Sequence, residues 1–474
     1  TVIGRYLAAE VEEQQESTSN IEMNSCQQNT TIILPDFLEQ HYEKWCTHLA
    51  NQEKEELKTL LASYQDVFSK DEFDMGRTSI VQHEIPLMEG TQPIKQKPYR
   101  YGPNQEKEIE QQVQKLLRKD LIEPGSGAWR SPVVLARKKD GTWRFCVDYR
   151  KLNSVTQRDV YPIPRIDESL DALGGSQWFT TLDLLTGYWQ VELSDDAREK
   201  SAFVTRSGLW QFKVLPFGLT SAPATFERLM ETIFRGLQWK TLLIYLDDII
   251  IFSKDTDTHR ERLTEVLRRL RKAGLKVKPS KCSLFAKEVE YLGHVVSNQG
   301  VATDPKKVEA IREWPIPMHP RDLRAFLGTC SYYRRYVPGY AEISRPLTQQ
   351  TGKYSSSNLK WTAECQKAFE EMKNILMTAP ILSYPDFEVP FILDTDASDV
   401  GTGAVLSQLK DNLERVIAYY SKAMTQEEQN YCTTRQELLD IIKAVKHFRP
   451  YLYGRKFTVR TDHASLPWLL KNSQ

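Results

Sequence analysis

Thr241-Leu242-Leu243-Ile244-Tyr245-Leu246-Asp247-Asp248-Ile249-Ile250-Ile251-Phe252-Ser253 sets two apolar, strand-forming runs on either side of an acidic pair. The simplest geometry is a β-hairpin whose turn presents both carboxylates. Strands buried on both sides hold such a turn rigidly, as is needed where carboxylates must keep two divalent ions about 4 Å apart during phosphoryl transfer. Taken alone, the stretch reads equally well as an ordinary hairpin with a solvated turn.

Upstream, Trp178-Phe179-Thr180-Thr181-Leu182-Asp183-Leu184-Leu185-Thr186-Gly187-Tyr188-Trp189-Gln190 reads as a strand ending in Asp183, then a turn and an aromatic pair. One aspartate at a strand end plus an Asp-Asp hairpin gives three carboxylates, the usual complement for two Mg²⁺ ions that also bind nucleotide phosphates. Between the two segments, Leu215-Pro216-Phe217-Gly218-Leu219-Thr220-Ser221-Ala222-Pro223 is a Pro/Gly-broken stretch that opens a helix near Pro223. Further upstream, Ser131–Ala136 and Trp143–Asp148 are strand-like, and Lys138-Lys139-Asp140-Gly141 between them is a hairpin signal.

These segments, in this order, resemble the reverse transcriptase of gypsy-type LTR retrotransposons and their retroviral relatives, from about Lys95 to the end of the chain. The resemblance implies an α+β fold: a right-hand polymerase of fingers, palm and thumb, followed by an incomplete ribonuclease H-like α/β domain. It implies that Asp183 and Asp247 are the principal metal ligands and that Asp248 completes the cluster. Tyr188 matches the aromatic that excludes a 2′-hydroxyl, Lys138 and Arg144 match fingers residues that contact the triphosphate, and Phe217 and Gly218 match the floor of the nucleotide pocket. Retroviruses usually carry Gln where Phe217 stands. Tyr291-Leu292-Gly293-His294 resembles the primer grip. The implied cofactor is Mg²⁺, two ions per polymerase site, with Mn²⁺ as a substitute. The implied partners are template RNA or DNA, primer, dNTPs, and other Pol and Gag polyprotein segments.

Downstream, Phe391–Asp399 runs as a strand into acidic residues, Gly401–Gln408 returns, Arg435–Val445 is a helix, and Phe457–Asp462 is a strand ending in an acid. Leu438, Ile441, Ile442 and Val445 are the expected buried face of that helix. The series resembles ribonuclease H, with Asp396, Glu437 and Asp462 matching three of its four metal-binding carboxylates and Asp394 as the alternative for the first. The family's fourth carboxylate lies several tens of residues beyond the third, whereas this sequence runs only twelve residues past Asp462. Ribonuclease H activity of the chain as given is therefore expected to be weak or absent.

Organisation follows from these motifs: residues 1–90 form an acidic linker with a short helical region, 91–297 fingers and palm, 298–380 thumb and connection, and 381–474 the truncated ribonuclease H-like domain. Amphipathic helices are expected at about Asn104–Lys119 and Asp257–Lys272, the second stopped by Gly274. Net charge is zero over 474 residues, yet residues 1–90 carry 17 acidic and 6 basic side chains. The remainder therefore carries net +11, the sign that holds a phosphate backbone. Seven scattered cysteines without a Cys-x-x-Cys pair read as buried thiols of a reducing compartment. No apolar run approaches the roughly 18 residues of a membrane span, and no partner membrane is expected. The missing initiator Met suggests a piece of a longer polyprotein, placed in the cytoplasm or in virus-like particles. The competing function is a non-catalytic or host-adopted nucleic-acid-binding remnant of such an element. Oligomeric state has no sequence signal.

Overall fold

Apolar runs at Trp178–Asp183, Leu242–Tyr245 and Asp248–Ser253 build the sheet on which the first site rests. In the computed structural model, which describes residues 32–137, 141–352, 359–463 and 466, four antiparallel strands lie side by side. Their order is Ser283–Ala286, Trp178–Asp183 (β1), Asp248–Ser253 (β3) and Leu242–Tyr245 (β2). Leu182, Leu242, Ile244, Ile249 and Ile251 point to one face, and Phe179, Leu243 and Ile250 to the other. Both faces are buried, which explains why these strands read as nearly continuous apolar runs.

Two helices cover the first face. Ala222–Ile233 (α1) presents Phe226, Leu229 and Met230, and Thr256–Ala273 (α2) presents Leu263, Val266, Leu267 and Leu270. Asp255 caps α2 by accepting the Thr258 amide hydrogen at 2.8 Å, and Gly274, at φ +70°, ends it as expected. The expected helix near residues 104–119 spans Pro103–Arg118. The helical unit at 35–68 is two helices, Asp36–Trp45 and Asn51–Ser63, seated on the same core by Trp45 and Leu61.

A five-stranded sheet follows the order Ile122–Pro124, Gly208–Phe212, Phe203–Thr205, Ser131–Arg137 and Trp143–Val147. Its last two strands are the expected hairpin. The turn containing Lys138 lies outside the described residues. Beyond the first sheet come a three-stranded meander (Glu288–Tyr291, His294–Ser297, Gly300–Thr303) and a helical region with its own core of Phe326, Tyr336, Phe369 and Met372.

The final sheet orders Leu413–Ala423 (β6), Gly401–Lys410 (β5), Phe391–Ala397 (β4) and Phe457–Arg460 (β7), with only the β4–β7 pair parallel. Helix Thr433–His447 (α3) packs across β4. It corrects the expected helix face. Leu438 and Ile442 are 38% and 42% exposed, while Gln436, Glu437, Asp440 and Ala444 are buried. The small Ala444 lets α3 approach the sheet, and the helix is rotated so that its carboxylates, not its largest apolar side chains, face β4.

Of the described cysteines, Cys46, Cys282, Cys330 and Cys365 are buried, but Cys432 is exposed. No helix among the described residues is long and apolar enough to cross a membrane.

Candidate active sites

Strand pairing places the first acidic cluster. Asp248 opens β3 directly opposite Asp183, the last residue of β1, and Tyr245 pairs with Asp248 across the hairpin. The turn is thus only Leu246 and Asp247, with Leu246 at φ +56°. A positive φ at the first turn residue matches the right-handed twist of the strands but normally calls for Gly.

The carboxyl of Asp248 is pushed up to about 6, first by desolvation in the cleft and then by the charges of Asp247 and Asp183. Concentrated negative charge with an all-oxygen donor set fits hard divalent cations. Asp183 also pairs with the Lys281 ammonium, 3.0 Å from Oδ2 and 3.2 Å from Oδ1. The sequence reading missed Lys281, which lies far along the chain from Asp183 in a segment without a distinctive pattern.

The residues around Asp183 converge on one cleft. Arg144, Tyr188, Phe217, Asp247, Lys278 and Lys281 line it together with Asp183. The ring of Tyr188 sits 5.3 Å from those of both Phe217 and Phe226. Gly187 permits this, since a Cβ there would lie 2.9 Å from Phe226 Cζ. Gly218 has φ +99°, a conformation that disfavours a side chain. Asn153 braces that turn by donating to the Gly218 carbonyl at 2.8 Å and accepting from Thr220 N at 2.9 Å. The Tyr291–His294 turn is held from another side, where Tyr333 Oη donates to Gly293 O at 2.6 Å and the His294 ring stacks on Tyr336.

The second cluster is tighter. Asp396, Glu437 and Asp462 can each bring an oxygen within 4.8 Å of the others, the one such set of three among the described residues. Asp396 lies near the end of β4, Glu437 on the first turns of α3, and Asp462 just beyond β7. Thr434 and His463 ties α3 to the Asp462 loop through a 3.1 Å contact between Oγ1 and Nε2. One buried oxygen of Glu437 makes no hydrogen bond, and burial, Asp462 and Asp396 raise its pKa. Asp394 is not part of this set: Arg460 holds both its oxygens, at 2.5 and 2.6 Å.

Asp440, also missed in the sequence, lies one helical turn after Glu437. It is wholly buried, and burial first, then the charges of Glu437 and Asp396, push its carboxyl up to about 8 against the opposing backbone amides of Asp396 and Gly403.

Comparison with known proteins matches two stretches of the chain. Residues 136–296 match the family model described as reverse transcriptase (RNA-dependent DNA polymerase), and residues 361–459 that of the RNase H-like domain found in reverse transcriptase. The chain is 38% identical over 422 residues to the retrovirus-related Pol polyprotein from transposon 412 of Drosophila melanogaster, covering 88% of this chain and 34% of that protein. It is 40% identical over 427 residues to the transposon 297 Pol polyprotein of the same organism, covering 89% and 40%. The chain thus spans between a third and two fifths of the length of these relatives. A foamy viral protease-reverse transcriptase solved in complex with dsDNA superposes with a TM-score of 0.81 at 25% identity, covering 94% of this chain and 92% of that one. A second foamy viral structure, at 24% identity and a TM-score of 0.82 over 96% of this chain and 78% of that one, shares the fold.

Proposed function

Because the chain belongs to the reverse transcriptase and ribonuclease H region of retrotransposon Pol polyproteins, we propose that it is an RNA-directed, and also DNA-directed, DNA polymerase. The observation that carries this is the facing pair Asp183 and Asp248 with Asp247 on the adjoining turn. The proposed partners are a template of RNA or DNA, a primer and dNTPs, with other Pol and Gag segments as neighbours in a longer polyprotein. The proposed division is fingers and palm over 91–297, thumb and connection over 298–380, and the ribonuclease H-like domain from 381.

In the proposed reaction the primer 3′-hydroxyl attacks the α-phosphate of the dNTP and pyrophosphate leaves. Two Mg²⁺ ions, or Mn²⁺ in their place, would supply charge neutralisation and orientation of the reacting oxygens. Asp183 and Asp247 are assigned as their principal ligands and Asp248 as the completing acid. Tyr188, wedged between Phe217 and Phe226, forms a wall where a ribose 2′-hydroxyl would lie. Phe217 and Gly218 floor the base pocket, and Arg144, with Lys138, is assigned to the triphosphate.

For the ribonuclease H-like domain the proposal is limited to divalent-cation binding by Asp396, Glu437 and Asp462, whose donor set and spacing fit such an ion. Primer extension on poly(rA)/oligo(dT) with Mg²⁺ or Mn²⁺ tests the polymerase reading. Extension is expected, and soluble chain that binds template-primer without extending it would overturn the reading.

A further inference from the structure

Beneath the first site lies one further carboxylate, that of Glu227. Glu227 lies on α1 between Phe226 and the apolar pair Leu229 and Met230, and its side chain is wholly buried. Its Oε2 accepts the Leu246 amide hydrogen at 3.0 Å, and its Oε1 makes no hydrogen bond.

That contact meets a specific need. The two-residue turn between β2 and β3 has a positive φ at its first position, and the residue there is Leu246, not Gly. A left-handed conformation is strained for a branched residue. The first amide of such a turn has no partner within the hairpin ladder, so a buried acceptor aimed at it both satisfies the donor and holds the conformation. The residue before Glu227 supports Tyr188 and closes on Gly187. Two successive residues of α1 thus brace the aromatic wall and the acidic turn from below.

We propose that Glu227 is a positioning residue for nucleotidyl transfer, fixing the Leu246-Asp247 turn through the Leu246 amide so that Asp247 stays aligned with Asp183 and Asp248. The proposal rests on the polymerase reading. Glu227 touches no substrate; it acts through the turn. Burial, followed by the charge of Glu231, pushes its carboxyl up to about 7. A neutral acid and a carboxylate both offer the acceptor oxygen, so the role belongs to the acceptor and not to the charge.

The test compares Glu227→Gln, which keeps an acceptor oxygen, with Glu227→Met, which fills the same buried volume without one. Steady-state primer extension on poly(rA)/oligo(dT) is read alongside thermal unfolding and amide hydrogen exchange of the 242–252 segment. Glu227→Gln is expected to keep the parent kcat. Glu227→Met should lose about 100-fold in kcat with little change in KM for dTTP, need more Mg²⁺ for half-maximal rate, and exchange the turn amides faster while remaining folded. A parent-like kcat and parent-like exchange in Glu227→Met would overturn the proposal, as would a Glu227→Gln variant as impaired as Glu227→Met. If the parent itself extends no primer, the polymerase reading fails. Hydrogen exchange then still decides whether Glu227 holds the turn, and unchanged exchange in Glu227→Met rejects it.

Discussion

Asp183 and Asp248 face one another as register partners at the ends of adjacent antiparallel strands, β1 and β3. Residues 65 positions apart in sequence are thereby fixed by backbone pairing, without depending on a flexible loop. The ladder continues from Ile249↔Leu182 to Ser253↔Trp178, and its apolar side chains are buried on both faces. A slip of one residue would send every one of these side chains to the opposite face. Register, and with it the spacing of the two acids, is therefore set by the core.

Tyr188 is held by rings on two sides, so shortening it should open the space it occupies without collapse of the cleft. Tyr188→Val is expected to raise incorporation of ribonucleotides relative to deoxyribonucleotides by roughly 10- to 100-fold. Single-nucleotide extension with rUTP and dTTP measures this. An unchanged ratio would remove Tyr188 from sugar selection.

Acid should weaken the fold through His259. The ring is wholly buried, with Nε2 2.8 Å from Thr180 Oγ1 and Nδ1 2.9 Å from Ser253 Oγ. Burial lowers its pKa to about 3. The unfolded chain takes up a proton near pH 6.5 that the folded chain refuses until about 3, so stability is lost as pH falls through that window. The loss should reach roughly 3 kcal/mol by pH 4.5. Chemical denaturation of the parent and of His259→Gln at pH 7 and 4.5 checks this: over that interval the parent should lose roughly 3 kcal/mol more than the variant.

Arg335 joins separate parts of the chain. Its guanidinium pairs with Asp167 at 2.9 Å and Asp171 at 3.5 Å, and donates to the Ile417 carbonyl of β6 at 3.4 Å. Tyr451 donates to the same Asp171 at 2.6 Å. Arg335→Met should cost about 2–3 kcal/mol, because Asp171, with its side chain 15% exposed, would lose its main charge partner. Calorimetry should then resolve the ribonuclease H-like region as a separate transition. A single transition at the parent temperature would contradict this.

How much of this was legible in the sequence depended on the kind of signal. Alternation and apolar runs located β1 to β3, and helical spacing located α2 and Pro103–Arg118, because in each case one core selects the face. Strand-end acids are visible as Asp183 and the Asp247-Asp248 pair for the same reason. Lys281 was not visible, because tertiary folding alone brings it to Asp183. Glu227 did leave a trace, as a charged residue inside the apolar stripe of α1. For α3 the larger apolar stripe misled, since the helix turns Glu437 and Asp440 inward and leaves Leu438 and Ile442 outside.

The Asp396, Glu437 and Asp462 set should bind a cation in its own right. Mn²⁺ at ten to a hundred times its dissociation constant should stabilise that domain by roughly 1–3 kcal/mol. Glu437→Gln should lose this increment while primer extension persists. Equal Mn²⁺-dependent melting shifts in parent and variant would show that the cluster holds no ion.

The most direct test of the central claim compares the parent chain with Asp247→Asn in primer extension on poly(rA)/oligo(dT), with template-primer affinity measured in parallel. Removing one ligand charge from a site that stabilises the transition state by several kcal/mol should slow extension by at least about 10³-fold and leave affinity close to that of the parent. Equal extension by the two proteins would contradict the assignment of this cluster as the polymerase centre.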